Sequence, residues 1–260
     1  MKEQLHTIPL IDAFRENDEC PFCFVERKLE EHTLDFVLGP GASYMEPDVR
    51  EATDAAGFCR VHYKKLFDYG NRLGTGLILK THFKKLNEEL NEQIKMFAPS
   101  HVSVFSKLGI GKKQRSGSDT SHTSLGAWAV SKEESCYICN FYKENFQRYL
   151  DTFFEMYRND AEFQKVFREG KGFCLPHFGA LVDAAETTLS DKEKPEFYQI
   201  LLPLIQDNMK RLYNDLDWFC DKFDYRNKDA DWKTSKDAIP RGMQKAAGGY
   251  PDLPPYTSDR

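Results

Sequence analysis

GFCRVHY, residues 57–63, returns as GFCLPHF at residues 172–178. Each copy places a cysteine and a histidine three residues apart. Each also follows a CxxC: CPFC at 20–23 precedes the first and CYIC at 136–139 the second. The spacers are of nearly equal length, and the likeness extends beyond the cysteines. Leu34-Asp35 falls where Leu150-Asp151 falls, and Val37-Leu38 matches Phe153-Phe154. Recurrence of this kind marks an internal duplication.

Each half reads as helical. Val25, Leu29, His32 and Phe36 follow the first CxxC at steps of one helix face, and Tyr142, Phe146, Tyr149 and Phe153 follow the second. PDVREATDAAG (47–57) and NDAEFQKVFREGKG (159–172) read as short helices, with Pro47 in the first turn of one and Gly57 at its end. A long helix closes each half, through Leu79, Phe83, Leu86, Leu90, Ile94 and Phe97, then through Leu201, Ile205, Met209, Leu212, Leu216, Phe219 and Phe223. Pro203 should kink the second or mark its early turn. No long period-two alternation suggests a sheet. The expected fold is all-α: two pseudo-repeated helical units packed as a bundle, each with a CxxC…CxxH metal site. Residues 1–100 form the first repeat and 131–226 the second. Residues 101–130 are a flexible linker around the polar GKKQRSGSDTSHTSL, and 227–260 are a tail or strap. In the strap reading Arg241, Lys245 and Tyr250 present polar groups to a ligand. Ser131 and Glu134 have the spacing of a capping box before CYIC.

Two cysteines three apart at a helix start project to one side, and a Cys/His pair three apart does the same. Two such starts brought together make a Cys3His set suited to tetrahedral zinc. The positive end of a helix favours thiolate over thiol. The candidate ligands are Cys20, Cys23, Cys59, His62, Cys136, Cys139, Cys174 and His177. Two Zn2+ ions are the first choice of cofactor and an iron–sulfur cluster the second. Pairing within a half is favoured because each half contains a full set; exchange of sets between halves is the other arrangement. CPFC also has the form of a thiol–disulfide redox motif, but no strand surrounds it as that chemistry's usual context requires.

The remaining candidates read as ordinary structure. Cys220, within DWFCDKF, fits a buried core thiol. His32 reads as a core or boundary histidine and His82, between Lys80 and Lys84, as part of a solvated face. Glu16, Asp18 and Glu19 suit a helix start through the dipole alone and would also modulate a metal there.

A net charge of −5 argues against general nucleic-acid binding. No apolar run approaches the ~20 residues that cross a bilayer, and no secretory apolar core opens the sequence. A cytoplasmic location is expected, where reducing conditions turn seven cysteines toward metal or catalysis rather than disulfides. No nucleotide-binding or hydrolase motif is present. The function expected is a metal-binding, zinc-first helical scaffold for an unknown protein or small-molecule ligand; the alternative is an iron–sulfur or CxxC thiol redox enzyme.

IPLIDAF, DECPFC, GFCRVHY, SCYIC, KGFCLPHF, DWFCDKFDYRN and RGMQKAAGGYP together resemble an uncharacterised family of cytoplasmic proteins from anaerobic Firmicutes. The likeness spans nearly the whole chain outside 111–125. It implies that the tail belongs to the protein and supplies no activity, metal or catalytic residue.

Overall fold

A computed structural model describes residues 6–16, 18–98 and 123–250. Eleven α-helices and two single 3-10 turns account for the regular structure there, and no strand occurs among the described residues. The helices are α1 (Thr7–Arg15), α2 (Pro21–Leu38), α3 (Pro47–Ala56), α4 (Arg60–Tyr69), α5 (Arg72–Met96), α6 (Ser124–Glu134), α7 (Tyr137–Asn159), α8 (Ala161–Glu169), α9 (Leu175–Thr188), α10 (Lys194–Asp221) and α11 (Ala238–Ala247).

The chain divides into two compact units, and they are not the two halves of the sequence. One unit combines Met1–Glu31 with Tyr142–Arg260; the other is His32–Phe141. Neither matches the expected 1–100 or 131–226. The cuts fall inside α2 and α7, so each of these helices begins in one unit and ends in the other.

The first unit is built on aromatic rings. Phe22, Phe153, Phe154, Phe167, Phe173 and Phe197 are all essentially without solvent contact. Phe153 meets Phe154, Phe163 and Phe167 edge to face at 5.2–5.5 Å, an arrangement that suits the ring quadrupole. The stripe predicted for α7 holds: Tyr149 and Phe153 are buried, and Phe146 packs against the same core. The long α10 runs through Pro203 without interruption.

The second unit has a smaller core: Val37, Leu38, Phe58, Leu66, Ile78, Cys136 and Ile138. Here two predicted stripes fail. On α2, His32 and Phe36 are exposed, and the buried positions after Glu31 are Thr33, Val37 and Leu38. The helix passes from one unit into the other, and the side that faces a core changes with it. On α5 the buried line is Gly74, Ile78 and His82, while Phe83 and Ile94 are exposed. The solvated face expected for His82 is therefore wrong. Its ring lies where a Cβ on Gly57 would stand, only 2.7 Å away, and its Nδ1 is 2.9 Å from the Asp54 carbonyl oxygen. That close approach seats α5 on the 74–78–82 face.

The boundaries of the linker and tail also change. Residues 101–122 lie outside the described residues, but Ser124–Glu134 is helix α6, capped by Thr123, whose side chain accepts from the Gly126 N–H at 3.0 Å. The capping box at Ser131 does not form, because that residue sits inside α6 and its hydroxyl donates to the Trp128 carbonyl. The region after 227 carries α11, which packs on α10 and α9. Lys222 holds the connection: its ammonium donates to the carbonyls of Asn227, Lys228 and Ala230 and lies 5.2 Å from the Trp232 ring centre. Cys220 is exposed rather than buried, on the outer side of α10.

Candidate metal centres

All four motifs use one local device. The carbonyls of Cys20, Cys59, Cys136 and Cys174 accept the first intrahelical bond from the N–H four residues on, at 2.8–3.3 Å. Each of these cysteines is thus the cap of its helix, and the partner ligand stands three positions later, in the first turn. Cys59 and Cys174 adopt nearly the same extended conformation, φ −72° ψ 167° and φ −69° ψ 160°. Gly57 and Gly172, two residues earlier, both have positive φ, at 60° and 72°. A left-handed residue there turns the chain sharply out of the preceding segment so that a cysteine can cap the next helix. Gly57→Ala should therefore cost about 1–3 kcal/mol from backbone conformation, with the His82 clash added. A fall in melting temperature, with any metal binding at the Cys20/Cys23/Cys174/His177 group intact, is the expected reading.

The helix starts meet in pairs. Cys20, Cys23, Cys174 and His177 form one group, and Cys59, His62, Cys136 and Cys139 the other; within each group the ligand atoms lie within 4.8 Å of one another. Every predicted ligand is therefore gathered, but the preferred pairing within a half is wrong. The CxxC of each half meets the CxxH of the other. Helix length gives the reason. At 1.5 Å per residue, α2 with 18 residues carries the chain about 27 Å from Cys20, and α7 with 23 carries it about 35 Å from Cys136. The helices that follow, α3 with 10 residues and α8 with 9, are much shorter.

In the first group, His177 Nδ1 is 3.4, 3.5 and 3.1 Å from the sulfurs of Cys20, Cys23 and Cys174, and the Cys23 and Cys174 sulfurs are 3.6 Å apart. In the second, His62 Nδ1 is 3.2, 3.2 and 3.4 Å from those of Cys59, Cys136 and Cys139, and the Cys59 and Cys139 sulfurs are 3.9 Å apart. Tetrahedral zinc, with bonds of about 2.3 Å to sulfur and 2.0–2.1 Å to nitrogen, requires edges near ~3.8 Å between sulfurs and ~3.5 Å from sulfur to nitrogen. The sulfur–sulfur distances of 3.6 and 3.9 Å and the sulfur–nitrogen distances of 3.1–3.5 Å lie close to those edges. All seven cysteines are free thiols.

The protons are unevenly shared. Hydrogen bonds from Cys20 and Cys23 draw the Cys174 thiol down to about 4, whereas hydrogen bonding to Cys174 and Cys20 and then burial push Cys23 well above the thiol range. In the second group burial opposes ionisation of Cys136. The hydrogen bond to His62 and the N–H groups of Cys139 and Cys59 outweigh it and bring the thiol to about 6. Cys139 is raised by burial and by its charged neighbour. A metal ion must displace the proton that Cys23 or Cys139 holds, because the thiolate is the ligand. Metal affinity should then rise with pH and fall in acid. Titration calorimetry in buffers of different ionisation enthalpy should show protons released on binding.

The chain also supplies an outer layer around the first group. Tyr142 Oη lies 2.8 Å from His177 Nε2. With Nδ1 turned to the sulfurs, Nε2 carries the hydrogen and the hydroxyl accepts it. Burial holds the Tyr142 hydroxyl far above its ordinary pKa, so it stays neutral in that role. Outer partners of this kind orient a ligating histidine. Tyr142→Phe should weaken metal binding at this group by about 10–100-fold and leave the other group unchanged, as chelator competition would register. Sequence reading placed Tyr142 only in a core stripe; its place in the first turns of α7 was the available signal.

Asp18 and Glu19 fasten the far end of the chain beside Cys20. Asp18 accepts from the Gln244 amide at 2.6 Å, the Tyr250 hydroxyl at 2.8 Å and the Cys20 N–H at 3.2 Å. Glu19, 1% exposed, faces Arg211, Arg241, Lys245 and Lys171. The Lys245 ammonium also donates to the carbonyls of Glu19 and Lys171, at 2.6 Å each. Arg241, Lys245 and Tyr250, named as ligand-facing groups, are thus engaged within the unit. Just beyond α11, Gly248 lies against Cys174: a Cβ there would stand 3.5 Å from its sulfur.

A family match spans this whole arrangement. It covers residues 1–253, from before α1 to beyond α11, and its description reads "Family of unknown function (DUF6062)". The chain belongs to this family. No curated protein and no solved structure matches it. The DUF6062 match includes both Cys/His groups and the α11 segment that seals the first.

Proposed function

We propose that this protein binds two zinc ions, one in each Cys3His group, and uses them to pin helix starts within a helical scaffold that engages a protein or small-molecule ligand. The observation that carries the reading is the spacing of the ligand atoms, which suits a single tetrahedral ion at each group. The donor set favours zinc: three thiolates and an imidazole at the positive ends of two helices. Ligand atoms that can all touch one centre leave no room for several irons and bridging sulfides between them, so an iron–sulfur cluster fits less well. Four protein ligands also leave no open position for substrate, which favours a structural over a catalytic ion. Seven free thiols suit a reducing compartment such as the cytoplasm. No helix is long and apolar enough to cross a membrane among the described residues. Elemental analysis and an absorption spectrum of anaerobically purified protein test the reading. Two equivalents of zinc and no visible colour are expected; under about half an equivalent of any metal, or iron with visible absorption, rejects it.

A further inference from the structure

The two groups differ in how solvent reaches them. In the first, Cys20, Cys23 and Cys174 are each 0% exposed and His177 is 7%. Phe22 and Phe146 lie against the His177 ring, Tyr142 covers its far nitrogen and Gly248 covers Cys174. In the second, Cys136 is 0% exposed, but Cys59 and Cys139 are both half-buried. These two reachable sulfurs are also neighbours, 3.9 Å apart. Among the described residues no counterpart of α11 packs over them: the elements at this group are the starts of α4 and α7, joined by the Tyr137 N–H donating to the Gly57 carbonyl at 2.9 Å.

Resting on the zinc reading, we propose that Cys59 and Cys139 are an oxidative modification site, at which a peroxide converts two zinc ligands into a disulfide and releases the second zinc while the first stays bound. One thiolate attacks a peroxide oxygen. The O–O bond breaks, the sulfur becomes a sulfenic acid and the departing hydroxide leaves as water. The second thiolate attacks that sulfur, the S–S bond forms, the S–O bond breaks and a second water leaves. The two sulfurs give up the two electrons that reduce the peroxide, and solvent supplies two protons. Zinc is left with Cys136 and His62 alone and dissociates. Selectivity comes from access, since both groups offer zinc-bound thiolates but only one offers them to solvent. A dithiol reductant and zinc restore the site. The new disulfide keeps the starts of α4 and α7 tied to each other, while loss of the ion releases His62 and Cys136, the latter part of the small core of the His32–Phe141 unit, from their shared centre.

The test uses the full reduced chain, first shown to hold two zinc ions, treated with hydrogen peroxide in the presence of a chromogenic zinc chelator. One equivalent should be released at least about tenfold faster than the other. Peptide mapping should find Cys59 joined to Cys139, and dithiothreitol with zinc should reverse the change. The Cys220→Ser chain, which lacks the exposed thiol on α10, should behave identically. Equal release rates, a first disulfide among Cys20, Cys23 and Cys174, or resistance of both ions to peroxide would overturn the proposal. Absence of zinc from the reduced starting protein would instead defeat the zinc reading itself.

Discussion

On the two-zinc reading, a chain carrying Cys23→Ser should hold one zinc ion rather than two and melt at a markedly lower temperature. Cys23 is fully buried in the first turn of α2. Its sulfur stands 3.6 Å from Cys174 and 3.5 Å from His177, so it has contacts with the α9 ligands that no other residue can replace. A hydroxyl there is a poor zinc ligand and leaves three donors. The affinity loss should exceed the roughly 10–100-fold that removal of an outer partner costs. An ion that binds only the folded chain, present at about a thousand times its dissociation constant, contributes about 4 kcal/mol. For a unit of this size that is on the order of 10 °C in melting temperature. Calorimetry with metal analysis checks both numbers. An unchanged melting temperature with two ions still bound would remove Cys23 from the ligand set.

Glu19→Gln should be comparably damaging without touching a ligand. The change keeps the shape of the side chain and removes its charge. Arg241 retains Asp215 at 2.9 Å and Asp237 at 2.8 Å, and Arg211 retains Asp215 at 3.8 Å. Lys245, 2% exposed, loses its one carboxylate partner and keeps only carbonyl oxygens. Breaking a buried pair from one side costs about 3–5 kcal/mol, because the remaining charge is stranded away from water. The effect should be released first as undocking of α11, visible as faster hydrogen exchange across 238–247. The pH dependence gives a second signature. Burial would raise the Glu19 carboxyl, but the hydrogen bond from Arg211 and the charges of Lys245, Arg211 and Lys171 outweigh it and hold it below its ordinary 4.5. A depressed carboxylate contributes stability above its unfolded value and loses it as pH falls through its folded value. The advantage of the native chain over Glu19→Gln should thus be full near neutrality and shrink below pH 4.5. A constant difference across that range would mean that the charge plays no part.

The all-α class and the eight Cys and His residues that gather into two groups were legible in the sequence, for a local reason. A cap and the third residue of a helix are set by neighbouring residues, so CxxC and CxxH announce helix starts wherever they fall. Which start meets which was not legible, because that depends on how far α2 and α7 carry the chain. The buried role of His82 was hidden for a similar reason: Lys80 and Lys84 describe its sequence neighbours, while Gly57 decides its packing. Cys220 differs in the opposite direction, since the apolar stretch around it leaves its thiol exposed. Glu19 looked like a helix-start acid. Its partners at 171, 211, 241 and 245 are brought to it only by the tertiary fold.

The crossed pairing makes the ligand sets nest like brackets along the chain: 20 and 23, then 59 and 62, then 136 and 139, then 174 and 177. The inner set spans 74 residues between His62 and Cys136, the outer set 151 between Cys23 and Cys174. Loop closure alone separates them by only about 0.6 kcal/mol. Synthesis from the N-terminus separates them far more. The inner set is complete once Cys139 has emerged, whereas Cys20 and Cys23 must wait for His177 and, for their seal, for α11. During that interval Cys20 and Cys23 are a pair of thiols without their partners on a growing chain, and on the proposed two-metal reading the order of translation would set the order of loading.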